Sequence, residues 1–393
     1  MHAAMGKHFA LPLSTHRRTL REICDAMKKT LFTVMLAAAL LGGGGAFAGT
    51  AVEGYDELYS NLPNEIYGKY AKDVAADLGF LRIREDEKSP HSELGDVIGG
   101  YIKCGVSDVQ ASMNTIVMTS GAARTICGGK IQGEGGNYLV QYNTVIMAGG
   151  EVGEIYGGSA SGGVHLIEAN EVVVTGGSVG AIWGAHATFA RKSTISGNAV
   201  SLVGEGAQYT HDDGQGVQTV YEGGKIQVGT VSAASVEGEV DNVGNSLNIS
   251  GTGIQVGKVR ADFLRLNFHM VAAQLTGTAP MLTVTEADAF ILTTRMILSF
   301  DAVEGMEWKP GTSVTLVEAQ KGMLIDDYLL TKEYDIYRND NPDILMATAK
   351  LVLEQGQGTT RFLKLVVPGN VPEPATGSLA LLALCALAAR RRR

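Results

Sequence analysis

The sequence predicts an all-β chain whose body is a right-handed parallel β-helix, with a short helical N-terminal cap and a β-rich C-terminal cap. Two observations predict it. The 51 glycines recur in register, with a residue-glycine step at Cys104, Cys127, Tyr156, Trp183, Val203, Val228 and Val256. Each step has a glycine five or six residues upstream, and the intervals of 20 to 29 residues are those of a solenoid coil. Between the glycines lie short β-branched runs, such as Val172–Thr175, with no helical period. Stacked coils would place equivalent strands about 4.8 Å apart.

The elements follow in order. Residues 1–26 are basic and polar and precede a complete leader, so they read as an upstream extension outside the fold. Residues 27–48 have the form of a secretory signal peptide: Met27-Lys28-Lys29, an apolar run from Leu31 to Leu41, and small Ala46 and Ala48 at a cleavage site. Residues 49–94 read as a helical cap and charged linker, because Leu58, Leu62, Ile66 and Tyr70 stand four apart. Residues 95–260 hold the repeats. Residues 261–370, with thinner glycines and alternating apolar positions, read as a β cap.

The whole chain carries 32 Lys+Arg and 41 Asp+Glu. From Gly49 to Val371 the numbers are 22 and 38, a net charge of −16. Such a body repels nucleic acid and anionic lipid. Cys104 and Cys127 are the only cysteines between the two ends, since Cys24 and Cys385 lie in the leader and the tail. The shared repeat position and an oxidising compartment predict a disulfide between them. No metal-ligand spacing, phosphate-binding loop or cofactor motif is present, so no metal or cofactor is expected.

Tyr156 and Trp183 occupy one column on neighbouring coils. They face outward if Ile126, Ile155 and Ile182 face the core. Outward stacked aromatics suit packing against sugar rings. The carboxylates Glu151, Glu154, Glu168, Glu171, Glu205, Asp212 and Asp213 do not stack into a cluster, and His211 beside Asp212 and Asp213 sits in a loop. Paired carboxylates are what glycoside hydrolysis requires, so no catalytic residue is assigned.

The chain ends with Val371-Pro372-Glu373-Pro374, an apolar run over 377–389 and Arg390, Arg391, Arg392 and Arg393. Thirteen helical residues span about 20 Å, short of a hydrocarbon core of roughly 30 Å. The terminal arginines fit a cytoplasmic end. This tail, residues 371–393, resembles the PEP-CTERM sorting tail of Gram-negative bacteria. The resemblance implies passage through the secretion machinery and a transient inner-membrane anchor. It further implies processing at the Pro-Glu-Pro motif by an exosortase-type transpeptidase, then delivery to the cell surface or extracellular matrix. Residues 95–368 resemble, in general texture, the β-helical passengers of autotransporter-type surface proteins, without the translocator barrel. Together these readings lead to an exported structural or adhesin-like protein associated with extracellular polysaccharide, and not an enzyme. The alternative is an exported β-helical carbohydrate-active enzyme, a glycoside hydrolase or lyase.

Overall fold

A computed structural model describes residues 49–369 apart from 55–58, 63–64, 73–74, 87–92, 106–107, 213–216, 238–239, 273 and 275–278. The signal peptide, with Ala46 and Ala48, and the tail from 371 to 393 lie outside the described residues.

The body is a parallel β-solenoid of three faces. The first face stacks Glu65–Lys72, Leu94–Lys103, Ala122–Gln132, Glu151–Ser161, Gly177–Thr188, Ile226–Val236, Ile254–Val259, Leu282–Val284 and Ser313–Ala319. The second face runs from Phe80–Asp86 through Thr115–Met118, Thr144–Met147, Glu171–Val174, Ala199–Val203, Ser246–Ser250, Arg265–Met270 and Ile297–Ala302 to Glu333–Arg338. The third face is shorter, from Ala76–Asp77 through Val109–Ser112, Asn137–Gln141, Val164–Glu168 and Lys192–Ser196 to Val240–Val243. Every one of these pairings is parallel, so no break in the stack falls at residue 260.

The helical cap expected over 49–94 is not what forms. Its described residues are strands: Gly49–Gly54 pairs antiparallel with Phe80–Asp86, and Tyr59–Leu62 with Glu65–Lys72. The i, i+4 spacing that suggested a helix satisfies a period of two equally well, and the parallel ladder to Leu94–Lys103 decides between them. The C-terminal end is β-rich as expected. Asn341–Gln355 pairs antiparallel with Glu333–Arg338 and then with Arg361–Val366, which closes on Ser313–Ala319.

The residue-glycine column read from the sequence does not lie in one register in space. Cys127, Tyr156 and Trp183 are in register, but the row continues to Ile98 on one side and Ser232 on the other. Val228 instead aligns with Val179 and Val256, and Val203 lies on the second face beside Ser250. The column joins two glycine rows that are distinct in the structure. One, at 99, 128, 157 and 184, follows the aromatic column. The other, at 153, 180, 229 and 257, lies earlier in the strand. A Cβ at Gly229 would stand 2.4 Å from the Gly180 carbonyl oxygen. The two short intervals around Val203 are one coil carrying an insertion. Gln208–Asp212 and Gln218–Glu222 pair only with each other, as a hairpin. Its Tyr209 and Tyr221 pack on Val117, Ile146 and Val173, the outer side of the second face.

A buried asparagine ladder holds one corner of the coils. Asn114, Asn143, Asn170, Asn198 and Asn245 are all fully buried. Each side-chain amide donates to the next Oδ1 at 2.8 to 3.0 Å. Each backbone N–H donates to the same oxygen. The second amide hydrogen goes to a carbonyl of the preceding third-face strand, as from Asn143 to Ala111 at 3.1 Å. The amides are therefore satisfied in both directions, which is the condition for burying them at all. The residue before each asparagine, from Met113 at φ 54° to Gly244 at φ 73°, is left-handed, which turns the corner.

The ladder shapes the cross-section. Opposite it, the long strands of the first face carry the pairs Gly99-Gly100, Gly128-Gly129 and Gly157-Gly158. A Cβ on Gly129 would lie 2.7 Å from Asn143 Nδ2, and one on Gly100 2.5 Å from Asn114 Nδ2. Strand alternation breaks at these pairs: Ile126 and Ile131, five apart, are both fully buried, as are Ile155 and Ala160. The strand therefore bends there. Ile126 and Ile155 join the core beneath the second face, whereas Ile131 and Ala160 join a separate core with Tyr138 and Val140 beneath the third. The coil is pinched between glycine and asparagine into two lobes.

Candidate ligand-binding groove

The bend that pinches the coil inside leaves a concave groove outside. It has a volume of about 310 Å³ and is lined from the strands Leu94–Lys103, Ala122–Gln132, Glu151–Ser161 and Gly177–Thr188. One wall comes from residues before the glycine pairs. Its outer rows are Asp96, Thr125 and Glu154, then Ile98, Cys127 and Tyr156, a row that Trp183 continues beyond the groove. The other wall comes after the pairs, with Lys130, Ser159 and His186 in one row and Gln132, Ser161 and Thr188 in the next.

Tyr156 and Trp183 thus face outward in register, because Ile155 and Ile182 fill the core. Tyr156 leans on His186, with ring centroids 4.7 Å apart. Its hydroxyl donates to Glu154 Oε2 at 2.6 Å. Burial, then the Glu154 charge, hold the phenol above its ordinary pKa, so it stays a donor. Burial lowers the pKa of His186 and keeps the imidazole neutral. Arg260 lies 5.9 Å from the Trp183 ring and covers one side of it. Trp183 Nε1 and His186 Nδ1 find no hydrogen-bond partner among the described residues.

The two carboxylates on the groove are each engaged. Asp96 accepts from Arg124 Nε at 3.0 Å and Nη2 at 2.8 Å, and Glu154 accepts from Tyr156. Of the acidic residues singled out in the sequence, only Glu154 lines the groove. Glu168 lies on the third face. Glu205 forms an isolated bridge with Thr252. Glu171 is hydrogen-bonded by Tyr209 at 3.0 Å beneath the hairpin, and burial raises its pKa. Glu151 begins its strand opposite Ala122 and Ser178. His211 and Asp212 are in the hairpin, and Asp213 lies outside the described residues. No group of three His, Cys, Asp or Glu among the described residues is placed to hold a metal ion.

The expected Cys104–Cys127 disulfide is absent: both side chains are buried thiols. The register gives the reason. Ile98, not Cys104, stands beside Cys127, and the two sulfurs belong to different clusters, Cys104 with Ile131 and Tyr138 inside the solenoid, Cys127 with Tyr67, Ile98 and Tyr101 outside it. Burial pushes the Cys127 thiol up to about 12, which removes it as a nucleophile.

Asp96, Lys130 and His186 were not legible as site residues. The available signal was the row three residues after the aromatic column, Tyr101, Lys130, Ser159 and His186, which becomes meaningful only when the glycine bend is known.

Residues 370–393 match the PEP-CTERM protein-sorting motif. The chain is an exported, surface-sorted protein. The motif implies processing by exosortase-type machinery and delivery to the surface of a Gram-negative bacterium. No curated protein and no solved structure matches the chain. Among the described residues, no helix is long and apolar enough to cross a membrane.

Proposed function

We propose that this PEP-CTERM protein is a structural or adhesin-like component of the extracellular polysaccharide matrix. Its solenoid presents the groove around Tyr156 as a sugar-binding surface. The observation that carries the reading is the groove itself: an outward aromatic column flanked by hydrogen-bonding side chains on both walls. Aromatic faces with convergent polar groups suit a saccharide. The tail would anchor the chain transiently in the inner membrane before exosortase-type cleavage at Pro372-Glu373-Pro374. The coil is taken as right-handed, in line with the hand of parallel β crossovers in general.

Binding rather than hydrolysis is favoured by the state of Asp96 and Glu154. They share one row two coils apart, but Asp96 is turned onto the Arg124 guanidinium and Glu154 onto the Tyr156 hydroxyl rather than toward a common reaction centre. The test has two parts. Full-chain protein should bind matrix polysaccharide, and Tyr156→Ala should weaken that binding by roughly tenfold, the scale of an aromatic stacking contact with its hydrogen bond. Removing residues 371–393 should abolish surface retention without changing binding in solution. Release of reducing ends from the polysaccharide by the purified protein, lost in Glu154→Gln, would favour the enzyme instead.

A further inference from the structure

We propose that the groove is a pocket walled at both ends, which takes the end of a neutral glycan, from a main chain or a branch. It is not a track along which a polymer runs. The inference rests on the sugar-binding reading above and deepens it, by naming the part of the polymer that enters. It comes from what faces what across the glycine bend. A residue before the bend meets, one coil further on, a residue after it. At one end of the groove that pair is Tyr67 and Tyr101, whose buried rings stack at 4.8 Å with 13° between their planes. Tyr67 belongs to the row of Ile98, Cys127 and Tyr156, and Tyr101 to the row of Lys130, Ser159 and His186. The stack therefore joins one wall to the other. Its position is fixed by the Tyr101 hydroxyl, which donates to Gln132 Oε1 at 2.8 Å. At the other end Tyr156 meets His186 across the same diagonal, with centroids 4.7 Å apart. Between these ring pairs the diagonal partners are Ile98 with Lys130 and Cys127 with Ser159, and the short side chains of Cys127 and Ser159 form the floor.

The two ring pairs stand three coils apart, about 14 Å at the spacing of stacked strands, and the rings themselves occupy part of that. The volume of about 310 Å³ lies near the lower bound for small-molecule pockets, roughly 300 Å³. A polymer laid along the solenoid axis would have to climb over a ring pair at each end and lose the floor as it did so. A segment that terminates fits between them. The lining also sets the charge of the ligand. Its charged groups are two carboxylates, Asp96 and Glu154, and one ammonium, Lys130. On a body of net charge −16 an acidic sugar meets repulsion from the lining and from the surface around it. Neutral sugar hydroxyls both donate and accept. They can donate to Glu154, accept from Lys130 and do either with Ser159 and Ser161.

The experiment is calorimetric titration of the full-chain protein with size-fractionated fragments of the matrix polysaccharide, neutral and carboxylate-bearing, from single sugars to octamers. The affinity of neutral fragments should rise up to about two residues and stay flat beyond. With the intact polymer, the amount of protein bound per mass should increase in proportion when endo-cleavage multiplies the chain ends. Ser159→Tyr places a ring on the floor and should abolish binding of every fragment; because Ser159 lies outside the core, the circular dichroism should not change. The length series on the unaltered chain decides the matter if that variant does not fold. Affinity that keeps climbing to the octamer, or bound protein that ignores the number of ends, overturns the walled pocket and leaves the sugar-binding reading in place. Tighter binding of carboxylate-bearing fragments overturns the neutral assignment, and parental binding by a folded Ser159→Tyr chain overturns the location. No binding of any fragment or of the polymer overturns both readings together.

Discussion

The coils up to Thr188 and those after Val240 solve one problem in opposite ways. In the early coils the interior is Ile, Val and Ala around a polar ladder, the first-face strands from Leu94–Lys103 onward run ten to twelve residues, and glycine pairs pinch the coil. In the late coils the ladder ends at Asn245 and the first-face strands shrink to Ile254–Val259 and Leu282–Val284. There the interior fills with Phe263, Phe268, Phe290, Phe300 and several methionines. Phe268 stacks on Phe300 at 5.7 Å, and Tyr334 meets Phe300 edge-on at 5.3 Å. A polar seam with small residues gives two thin lobes and an external groove. An aromatic core gives one thick lobe and no bend. The coil Ile226–Val236 is intermediate, with Ala233 and Ala234 where the earlier coils have glycine, and its nearest relief is the Asp262 side chain that accepts from the Ala233 N–H at 3.1 Å.

The contrast can be broken or sharpened by substitution. The largest effect is expected in the aromatic half. Phe300→Ala removes a fully packed ring and should cost about 4 kcal/mol of unfolding free energy by chemical denaturation. A cost below about 1 kcal/mol would mean that the late core is loose and the contrast unfounded. Next comes the ladder. Asn170→Leu strips acceptors from Asn143 and the donor serving Asn198 and Val140, and should cost about 3 kcal/mol. A neutral outcome would show that apolar packing replaces the seam. Gly129→Ala follows, at about 2 kcal/mol, because its Cβ must displace Asn143. The reverse change Ala185→Gly, one coil beyond the pairs, should be mild, and a larger loss there than at Gly129 would contradict the graded pinch.

The smallest effect concerns the hairpin. Burial raises the pKa of Glu171 above its unfolded value, with the Tyr209 hydroxyl and the His211 charge opposing. The folded state therefore favours the protonated acid. Its contribution to stability is fully present below the unfolded carboxylate pKa and is lost as pH rises through the raised folded value. Glu171→Gln keeps an acceptor for Tyr209 and removes the charge. Its denaturation midpoint should match the parent in acid and exceed it modestly at neutral pH, and a midpoint that falls at neutral pH would show that the charge supports the hairpin.

Much of the first contrast was legible, and the reason lies in glycine. Gly128, Gly157 and Gly184 announced coils, whereas Ile126, Ile155 and Ile182 gave an outward Tyr156 and Trp183 only on the condition that they faced the core. The sequence misled where one symbol served two purposes. Gly229 marks a close approach to Gly180, not the pinch, so the column slips by four residues after Trp183, from Ser232 to Val228. The hairpin added an apparent coil because its glycines, 204 and 223, resemble corner glycines. The ladder was readable in retrospect as asparagine followed by a short β-branched run at 114, 143 and 170. A lone Asn ordinarily marks a turn, so the pattern does not stand out in the sequence. The groove could not be read at all from local pattern, since its walls meet only through a bend that depends on Asn side chains from another part of each coil.

The ladder has a direction. From Asn114 to Asn198, one amide hydrogen of each donates to the Oδ1 of the coil that follows and the other to a backbone carbonyl of the coil before, with Gly79 N–H supplying the first bond to Asn114 Oδ1 at 2.8 Å. A chain delivered N-terminus first therefore brings out donors before acceptors. Asn114 has to wait for Asn143, and Asn143 for Asn170, so each new coil is recruited by unspent hydrogen-bonding capacity on the last. The C-terminal side of any partial stack thus presents unpaired amide donors until the ladder ends at Asn245 and the aromatic core takes over.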